Sequence, residues 1–312
     1  MIHLSVLPDK SIAMLNPRMG DVFVDGTLGA GGHTERIARA VGPNGLVIAF
    51  DRDVTAIDRT ERRLKQAGLR NIRYVHANYR FLGEALDRLG IAAVDGILLD
   101  IGLSSDQLAD RERGFSFESE GLLDLRFDTS EGQPAYELLE HWSEEHIADV
   151  LFQYGEEKFS RRIARAIVEK RTTEKPLRTA REFAEIVRRR VPREKRDKRD
   201  KFGNHNSRNI DPATRSFQGL RIAVNEELDS LDSLLKSSPD HVKPGGRVAV
   251  ISFHSLEDRV VKNYFRDEDR LNVLTKKPII ADEEECNRNP RARSAKLRVA
   301  ERVGRGAPDF GI

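Results

Sequence analysis

The sequence predicts an α/β fold, a Rossmann-like doubly wound domain with an inserted helical domain. Apolar segments of strand length alternate with helical segments up to residue 100, and such alternation favours a parallel sheet covered by helices on both faces. Residues 105–212 hold helical segments but no convincing buried strand, and the α/β pattern returns at Leu220. We therefore expect a discontinuous α/β domain, 1–104 with 213–312, and an insertion at 105–212.

Local signals predict the first strands and helices. The segments predicted as strands are 21–25, 45–51, 71–76 and 93–100. The helices that follow the first two strands are predicted over 34–40 and 54–67. Thr34 is the expected N-cap of the first helix and Gly68 the expected end of the second, because these residue types favour those positions.

The later elements are predicted from the same kinds of pattern. The helices expected in the insertion cover 144–154, 159–170 and 180–190. Leucine and valine recur at helical spacing from Leu220 to Leu235, which predicts one long helix. The remaining strands are expected within 243–252, 272–280 and 295–301.

The composition excludes several classes of protein. The 312 residues carry a net charge of +2, and no apolar run approaches the ~20 residues that a membrane-spanning helix needs. The N-terminus shows no signal-peptide pattern, so we expect a cytoplasmic protein without a membrane segment. Cys286 has no second cysteine to pair with, and the eight histidines lack the spacing of a zinc site, so nothing in the sequence requires a metal.

Basic residues are concentrated in two segments. Nine Lys and Arg residues lie between Arg188 and Lys201, most of them within an expected basic loop at 193–209. The second cluster consists of Arg288, Arg291, Arg293, Lys296, Arg298 and Arg302. Arginine can grip phosphate bidentately, although a run of charge by itself is more often a solvated surface.

A glycine-rich turn after the first strand indicates a nucleotide site. The turn reads DGTLGAGGH (25–33), and Asp51 closes the next strand, where a carboxylate can accept both hydroxyls of a ribose. The dinucleotide fingerprint G-x-G-x-x-G fails because Thr34 occupies its third glycine position, and no P-loop lysine follows. The turn better suits a cofactor without a pyrophosphate. The Pro-Gly-Gly at 244–246 resembles the turn before strand five of many class I methyltransferases.

Longer motifs carry a resemblance to a known family. In chain order they are DGTLGAGGH (25–33), FDRD (50–53), DGILLDIGLSSDQL (95–108), RGFSF (113–117), YGEEKFSRRIARAIV (154–168), PATRSFQGLRIAVNEEL (212–228), PGGRVAVISFHSLEDRVVK (244–262) and NPRARSAKLRVAER (289–302). These motifs cover nearly the whole chain, which resembles the bacterial 16S rRNA cytosine-N4 methyltransferase family, RsmH/MraW. The resemblance implies a class I S-adenosylmethionine (AdoMet) methyltransferase domain. It also implies methylation of a cytidine N4 in the 16S rRNA of the small ribosomal subunit.

The resemblance further implies which residues bind AdoMet. The residues on matching motif positions are Gly31, Gly32, His33, Asp51, Tyr79, Asp100 and Gln107. Tyr79 stands where the family usually has phenylalanine, so an aromatic face for the adenine is kept. The chain departs from the family at Lys10, where glutamate is usual, in GLLDLRFD (121–128), and in a longer and more basic segment at 193–210.

Candidate catalytic residues follow the fourth and fifth strands. Methyl transfer from a sulfonium is an in-line displacement, and acceptors near the cytosine amine counteract the delocalisation of its lone pair. Asp100, Ser104 or Ser105 is expected to accept from the amine; alternatively, Asp100 only binds the cofactor and the serines cap a helix. His254 is a candidate for proton removal, unless this segment is only a helix start capped by Ser255.

RNA recognition imposes a further demand, because a cytosine must leave its stack to be modified. Phe115 and Phe117, beside Arg111 and Arg113, either stack on bases and contact phosphates or pack the core of the insertion. We expect the insertion and the C-terminal basic strand to bind the sugar-phosphate backbone. Three alternatives to an rRNA methyltransferase are a dinucleotide-dependent oxidoreductase, a non-catalytic ribosome-assembly factor and a DNA methyltransferase.

Overall fold

The computed structural model describes residues 4–103, 110, 112–173, 175–192 and 211–304. The chain divides into two compact units, Met1–Ser104 with Leu228–Ile312, and Ser105–Glu227. The predicted Ser104 and Gln107, together with Ser105, Arg111 and the basic loop at 193–209, lie outside the described residues.

The first unit is built on one seven-stranded sheet with the order β3-β2-β1-β4-β5-β7-β6. Its strands are β1 (Val22–Asp25), β2 (Leu46–Asp51), β3 (Ile72–His76), β4 (Val94–Asp100), β5 (Val242–Ser252), β6 (Leu271–Val273) and β7 (Lys296–Arg302). Strands β1 to β5 pair in parallel, whereas β7 runs antiparallel between β5 and β6. The α/β, Rossmann-like prediction is confirmed.

The helices of the described residues are divided between the two units. They are α1 (Pro8–Leu15), α2 (Gly32–Val41), α3 (Val54–Gln66), α4 (Leu82–Arg88), α5 (Ala135–His141), α6 (Glu144–Gln153), α7 (Ser160–Thr173), α8 (Ala180–Arg190), α9 (Ala213–Asn225), α10 (Glu227–His241), α11 (Ser255–Asp267) and α12 (Glu283–Arg288). Short 3₁₀ turns lie at Tyr79–Phe81 and Pro290–Ser294. Within the described ranges, no helix combines the length and the apolar character needed to cross a bilayer.

Alternation along the strands gives the sheet an apolar face on each side. Phe23 and Leu98 pack with apolar residues of α1, α2 and α3 on one face. Val24, Ile97 and Leu99 pack with apolar residues of α4, α10 and α11 on the other. Since successive side chains of a strand point to opposite faces, two helical layers bury the central strands and hold their carboxyl ends in fixed positions.

The second unit is helical and packs around aromatic residues. The ring of Phe217 on α9 meets the edges of Phe117 and Phe183 at centroid distances of 4.8 and 5.0 Å. Helix α9 also contacts α5, α6 and α8, and this packing explains why the second unit extends to Glu227 rather than to the predicted boundary at 212.

Four local predictions were wrong for identifiable reasons. Helix α2 begins at Gly32, after Gly31 in the left-handed region, so Thr34 lies inside the helix. The predicted long helix is broken at Glu226, whose φ of 51° ends α9 before α10 begins. His254, and not Ser255, is the N-cap of α11. Strand β6 is short, and Ile279 forms only an isolated bridge with Leu297.

Candidate active site

Three carboxylates lie at the same edge of the sheet. Asp25, Asp51 and Asp100 are the last residues of β1, β2 and β4, which are neighbours in the order β2-β1-β4. Because these strands are parallel, their carboxyl ends coincide. The strand order reverses direction at β1, and open α/β sheets form their binding crevice at such a point.

The buried Asp25 holds the glycine-rich turn in place. Its carboxylate accepts hydrogen bonds from the Thr27 backbone N–H at 3.0 Å and from the Thr34 hydroxyl at 2.6 Å. Burial raises the pKa of Asp25, although these hydrogen bonds and the nearby His33 oppose that rise. The sequence analysis did not assign Asp25 to the site, and its contacts make it a support for the turn.

The glycines of the turn serve two different purposes. Gly31 has a φ of 76° and a Cβ there would collide with Thr60 of α3, so this position favours glycine by conformation and packing, whereas a Cβ at Gly32 would mainly displace the Ser5 hydroxyl. Gly29 has a φ of 48° and nothing within 4 Å of a built Cβ. Its open side therefore leaves room for a ligand to approach the backbone.

Asp51 is attached to this turn by its own carboxylate. One oxygen accepts from the Gly29 N–H at 2.8 Å, and the other accepts from the Asp53 N–H at 2.9 Å. Burial raises the pKa of Asp51 to about 6, helped by repulsion from Asp53 and opposed by these N–H groups. A carboxylate has about four lone-pair positions, so Asp51 keeps acceptor capacity for a ligand.

His33 and Asp100 form a buried pair at the end of β4. His33 Nε2 lies 3.4 Å from Asp100 Oδ2, and the Asp100 N–H donates to the Thr27 hydroxyl at 2.7 Å. Burial alone lowers the pKa of His33, but the carboxylates of Asp100 and Asp25 together raise it. Within the described ranges, Nδ1 of His33 and Oδ1 of Asp100 are buried without a hydrogen-bond partner.

Tyr79 reaches the same edge from β3. It begins the 3₁₀ turn that follows β3, and Asn78 caps this turn by accepting from the Arg80 N–H at 3.0 Å. A Cβ built on Gly26 would lie 3.2 Å from the Tyr79 Cβ. Gly26 follows β1 directly, so Tyr79 stands beside the start of the glycine-rich turn.

His254 follows β5 and has a structural role of its own. Its Nδ1 accepts from the Glu257 N–H at 3.4 Å, while the Glu257 carboxylate accepts from the Phe253 N–H at 2.8 Å. His254 Nε2 lies 2.8 Å from the buried Glu257 Oε1. His254 and Glu257 thus form a reciprocal capping box at the start of α11, a structural role for His254 that the sequence pattern did not reveal.

The structure decides between the two readings of the phenylalanines after residue 112. Phe115 is buried and lies over Phe127 with ring centroids 6.0 Å apart. Phe117 packs against Phe217. The Arg113 guanidinium donates to the carbonyls of Arg126 and Phe127. Phe115 and Phe117 therefore pack the core of the second unit.

Arg291 lies near this edge of the sheet, a position that the sequence analysis did not assign to it. It belongs to the 3₁₀ turn before β7, and its guanidinium lies over the Phe253 ring, 5.8 Å from the ring centroid. It also donates to the Leu103 carbonyl, three residues after Asp100. The basic cluster in the sequence indicated either phosphate binding or a solvated surface, and no sequence signal marked the position of Arg291 at this edge.

The structure thus gathers most of the predicted residues. Six of the expected cofactor residues lie at the edge formed by β2, β1 and β4, together with the turns that follow β1 and β3; they are Gly31, Gly32, His33, Asp51, Tyr79 and Asp100. His254 lies one strand further along the same edge, after β5.

Comparison with known proteins places this arrangement in a family. Residues 1–303 match the MraW methylase family. Among similar proteins, the ribosomal RNA small subunit methyltransferase H of Rhodopirellula baltica is 46% identical over 96% of this chain and 91% of its own length. The proteins of the same name from Geotalea uraniireducens and Sorangium cellulosum are 44% and 47% identical, over 96% and 97% of this chain and 98% and 91% of their own lengths. The chain belongs to the MraW methylase family.

Proposed function

We propose that this protein transfers a methyl group from AdoMet to the exocyclic N4 of a cytidine in 16S rRNA, acting on the small ribosomal subunit in the cytoplasm. Full-length similarity to proteins named for small-subunit rRNA methylation supports the substrate. The single structural observation that carries the proposal is the convergence of Asp51, His33 and Asp100 around the open side of the glycine-rich turn.

The residues at this edge fit AdoMet. Asp51 would accept from the ribose hydroxyls, and Tyr79 would offer an aromatic face to the adenine. The turn from Gly31 to His33 and Asp100 Oδ1 would hold the methionine portion, because a buried acceptor without a protein partner is open to a donor of a ligand. Gln107 completes the proposed set.

The chain's own contribution to methyl transfer is orientation and charge. AdoMet, when bound, supplies the electrophilic methyl group. Asp100 accepts a hydrogen bond from the cytosine amine, which keeps the lone pair on N4 and stabilises the positive charge that develops there. Ser104 is the alternative acceptor in this proposal. His33 stands behind Asp100 and fixes the direction of its second oxygen.

For His254 we propose acceptance of the proton that the amine loses as the methyl group is transferred. The proton would go to Nδ1, which would release its long hydrogen bond from the Glu257 N–H, while the protonated Nε2 stays against the buried Glu257 carboxylate and the carboxylate stabilises the resulting imidazolium. A His254→Asn variant separates this role from helix capping, because asparagine also caps helices well. We expect the variant to keep wild-type thermal stability and to lose at least tenfold in single-turnover rate, the low end for general base catalysis being about a hundredfold. An unchanged rate would show that His254 acts only as the N-cap of α11.

The second unit and the C-terminal basic strand are proposed to contact the RNA backbone. Arg161, Arg162 and Arg165 are exposed on α7, and phosphate contacts give binding its salt dependence. The basic segment at 193–209 belongs to the same proposal.

Methyl transfer itself is the decisive test. The protein is incubated with tritiated AdoMet and small subunits from a strain that lacks its gene, and the labelled nucleoside is identified by mass spectrometry after digestion. We expect N4-methylcytidine in the 16S rRNA. Label in DNA, label at another base, or no incorporation beside a functional control methyltransferase would refute the proposal.

A further inference from the structure

Arg291 lies close to the end of β4, where the proposed acceptor Asp100 stands. Asp100 ends β4 and pairs in register with Ile251 of β5, and Phe253 follows β5. Arg291 is held between these two strand ends, since it lies over the Phe253 ring and donates to the Leu103 carbonyl. A Cβ at Gly102 would lie 3.1 Å from the Phe253 ring, so the backbone after β4 packs closely against the ring that supports the arginine.

Arg291 and Asp100 carry opposite charges that the protein shields from solvent to a large extent. Burial lowers the pKa of Arg291, and the charge of Asp100 opposes that fall. A guanidinium remains charged in proteins, so a half-buried cation stands near a mostly buried carboxylate. The carboxylate offers only acceptors, whereas the guanidinium offers only donors.

A carboxylate next to a guanidinium complements the pairing edge of cytosine and not that of uracil. The pairing edge of cytosine presents an amine donor at N4 next to an acceptor at N3. The edge of uracil presents an acceptor at O4 next to a donor at N3. A carboxylate facing N4 and a guanidinium facing N3 would both be satisfied by cytosine, and both would meet like groups on uracil.

We infer that Arg291, supported on Phe253, donates to N3 of the target base while Asp100 accepts from its N4, so that the two residues together select cytosine. This inference rests on the proposed function and adds a specificity residue to it. Donation to N3 favours the delocalised form of the amine, so Arg291 selects the base and does not accelerate the displacement. Loss of the Arg291 contact is therefore expected to lower kcat/KM for RNA.

The test combines a protein change with a matching substrate change. Arg291→Lys keeps the positive charge but loses the fork of the guanidinium, and RNA with 3-deazacytidine at the methylated position lacks the N3 acceptor. We expect each change alone to lower kcat/KM roughly tenfold, the size of one lost base contact. Applied together they should lower it by clearly less than the product of the separate losses, because they remove the same hydrogen bond. Any intrinsic effect of the analogue on amine reactivity is common to both enzymes and cancels.

Arg247→Lys is the matched control. Arg247 is also a half-buried arginine of the first unit, but it lies toward the other end of β5 and pairs with Glu301 at 2.9 Å. We expect its kcat/KM to respond to 3-deazacytidine as that of the wild type does. AdoMet affinity, measured by calorimetry, should stay within about twofold of wild type for both variants, well below the tenfold that a loss of 1.4 kcal/mol produces.

Several outcomes would overturn the inference. Losses that multiply independently would show that Arg291 and N3 do not touch. Weakened AdoMet binding by Arg291→Lys would assign the arginine to the cofactor carboxylate. A wild-type enzyme that binds RNA with 3-deazacytidine as tightly as RNA with cytidine would refute the contact without any variant, even if Arg291→Lys failed to fold, because binding affinity does not depend on the reactivity of the amine. A wild-type protein that methylates no cytidine in RNA would refute the proposed function as well, whereas the other outcomes leave that function intact.

Discussion

At the scale of single residues, the site depends on carboxylates whose protonation the fold has altered. Asp51 is the clearest case, because burial brings its pKa to about 6 although its ordinary value is near 4. A protonated Asp51 loses acceptor capacity toward ribose hydroxyls. AdoMet binding should therefore respond to pH in a range where most carboxylates are already ionised.

We expect AdoMet affinity to be about tenfold weaker near pH 5 than near pH 7.5, because one pH unit below the pKa leaves only about a tenth of the carboxylate ionised. Calorimetric titrations across this range measure the change. Asp51→Asn, which cannot ionise, should bind weakly at every pH and show a flat profile between these limits. A wild-type profile that is equally flat would contradict the role of Asp51.

His33 affects stability in the opposite part of the pH scale. Its pKa is raised in the folded protein because the attraction of Asp100 and Asp25 outweighs the burial that lowers it. The folded state therefore holds a proton that the unfolded chain releases above about pH 6.5. This contribution is fully present below that pH and is lost as the pH rises through the folded pKa.

Urea unfolding of the wild type and of His33→Gln tests this linkage. The free energy of unfolding of the wild type should fall from about pH 6 to pH 9 more steeply than that of the variant. Equal slopes in the two proteins would mean that His33 is neutral in the folded state throughout.

At the scale of elements, helix boundaries were predictable where a side chain caps them. The prediction of 180–190 for α8 is confirmed, and its start is explained by the reciprocal capping box of Thr179 and Glu182. The break at Glu226 was not predictable, since the leucine and valine stripe continues through it, while the hydrogen bonds of Asn225 to Leu125 and Phe127 join residues far apart in the chain. The start of α2 was missed because Gly31 and not a hydroxyl residue precedes it.

Helix α8 provides a test of such caps. Thr179→Ala removes the acceptor for the Glu182 N–H, and we expect a loss of about 1 kcal/mol in the free energy of unfolding. Thr179→Ser keeps the hydroxyl and should retain most of the stability. Thermal melts followed by circular dichroism measure both. Equal melting temperatures for the alanine and serine variants would show that the cap contributes nothing.

At the scale of the whole molecule, the sequence predicted the parallel strands well and the site in part. The apolar segments of the sheet and the spacing from the glycine-rich turn to Asp51 are local patterns, so they could be interpreted without a structure. The place of Arg291 could not, because it depends on β7 lying next to β5, and that pairing joins residues far apart in the chain. The dependence of His254 on Glu257 was likewise hidden, since histidine is not a usual N-cap.

The division into two units predicts separable functions. All the described residues proposed for AdoMet lie in the first unit. In the second unit, a Cβ at Gly219 would lie 3.0 Å from the backbone nitrogen of Gly155. Gly219→Ala should therefore destabilise this unit by about 1–3 kcal/mol through overpacking, although alanine normally stabilises a helix.

We expect Gly219→Ala to keep wild-type AdoMet affinity while its methylation of small subunits falls as the temperature rises. Calorimetry with AdoMet and methyl incorporation at two temperatures measure the two properties. If cofactor affinity and methylation declined together, the two units would not be separable in this way.

The position of β7 has a consequence for how the chain is made. Residues 105–227 are contiguous and leave the ribosome before β5 exists, so the helical unit can fold early on the nascent chain. Strand β5, in contrast, keeps an unpaired edge until β7, the last strand of the sheet, has been synthesised. Unpaired edges template association with other chains, so a product truncated before residue 296 exposes a long apolar strand and is prone to aggregate.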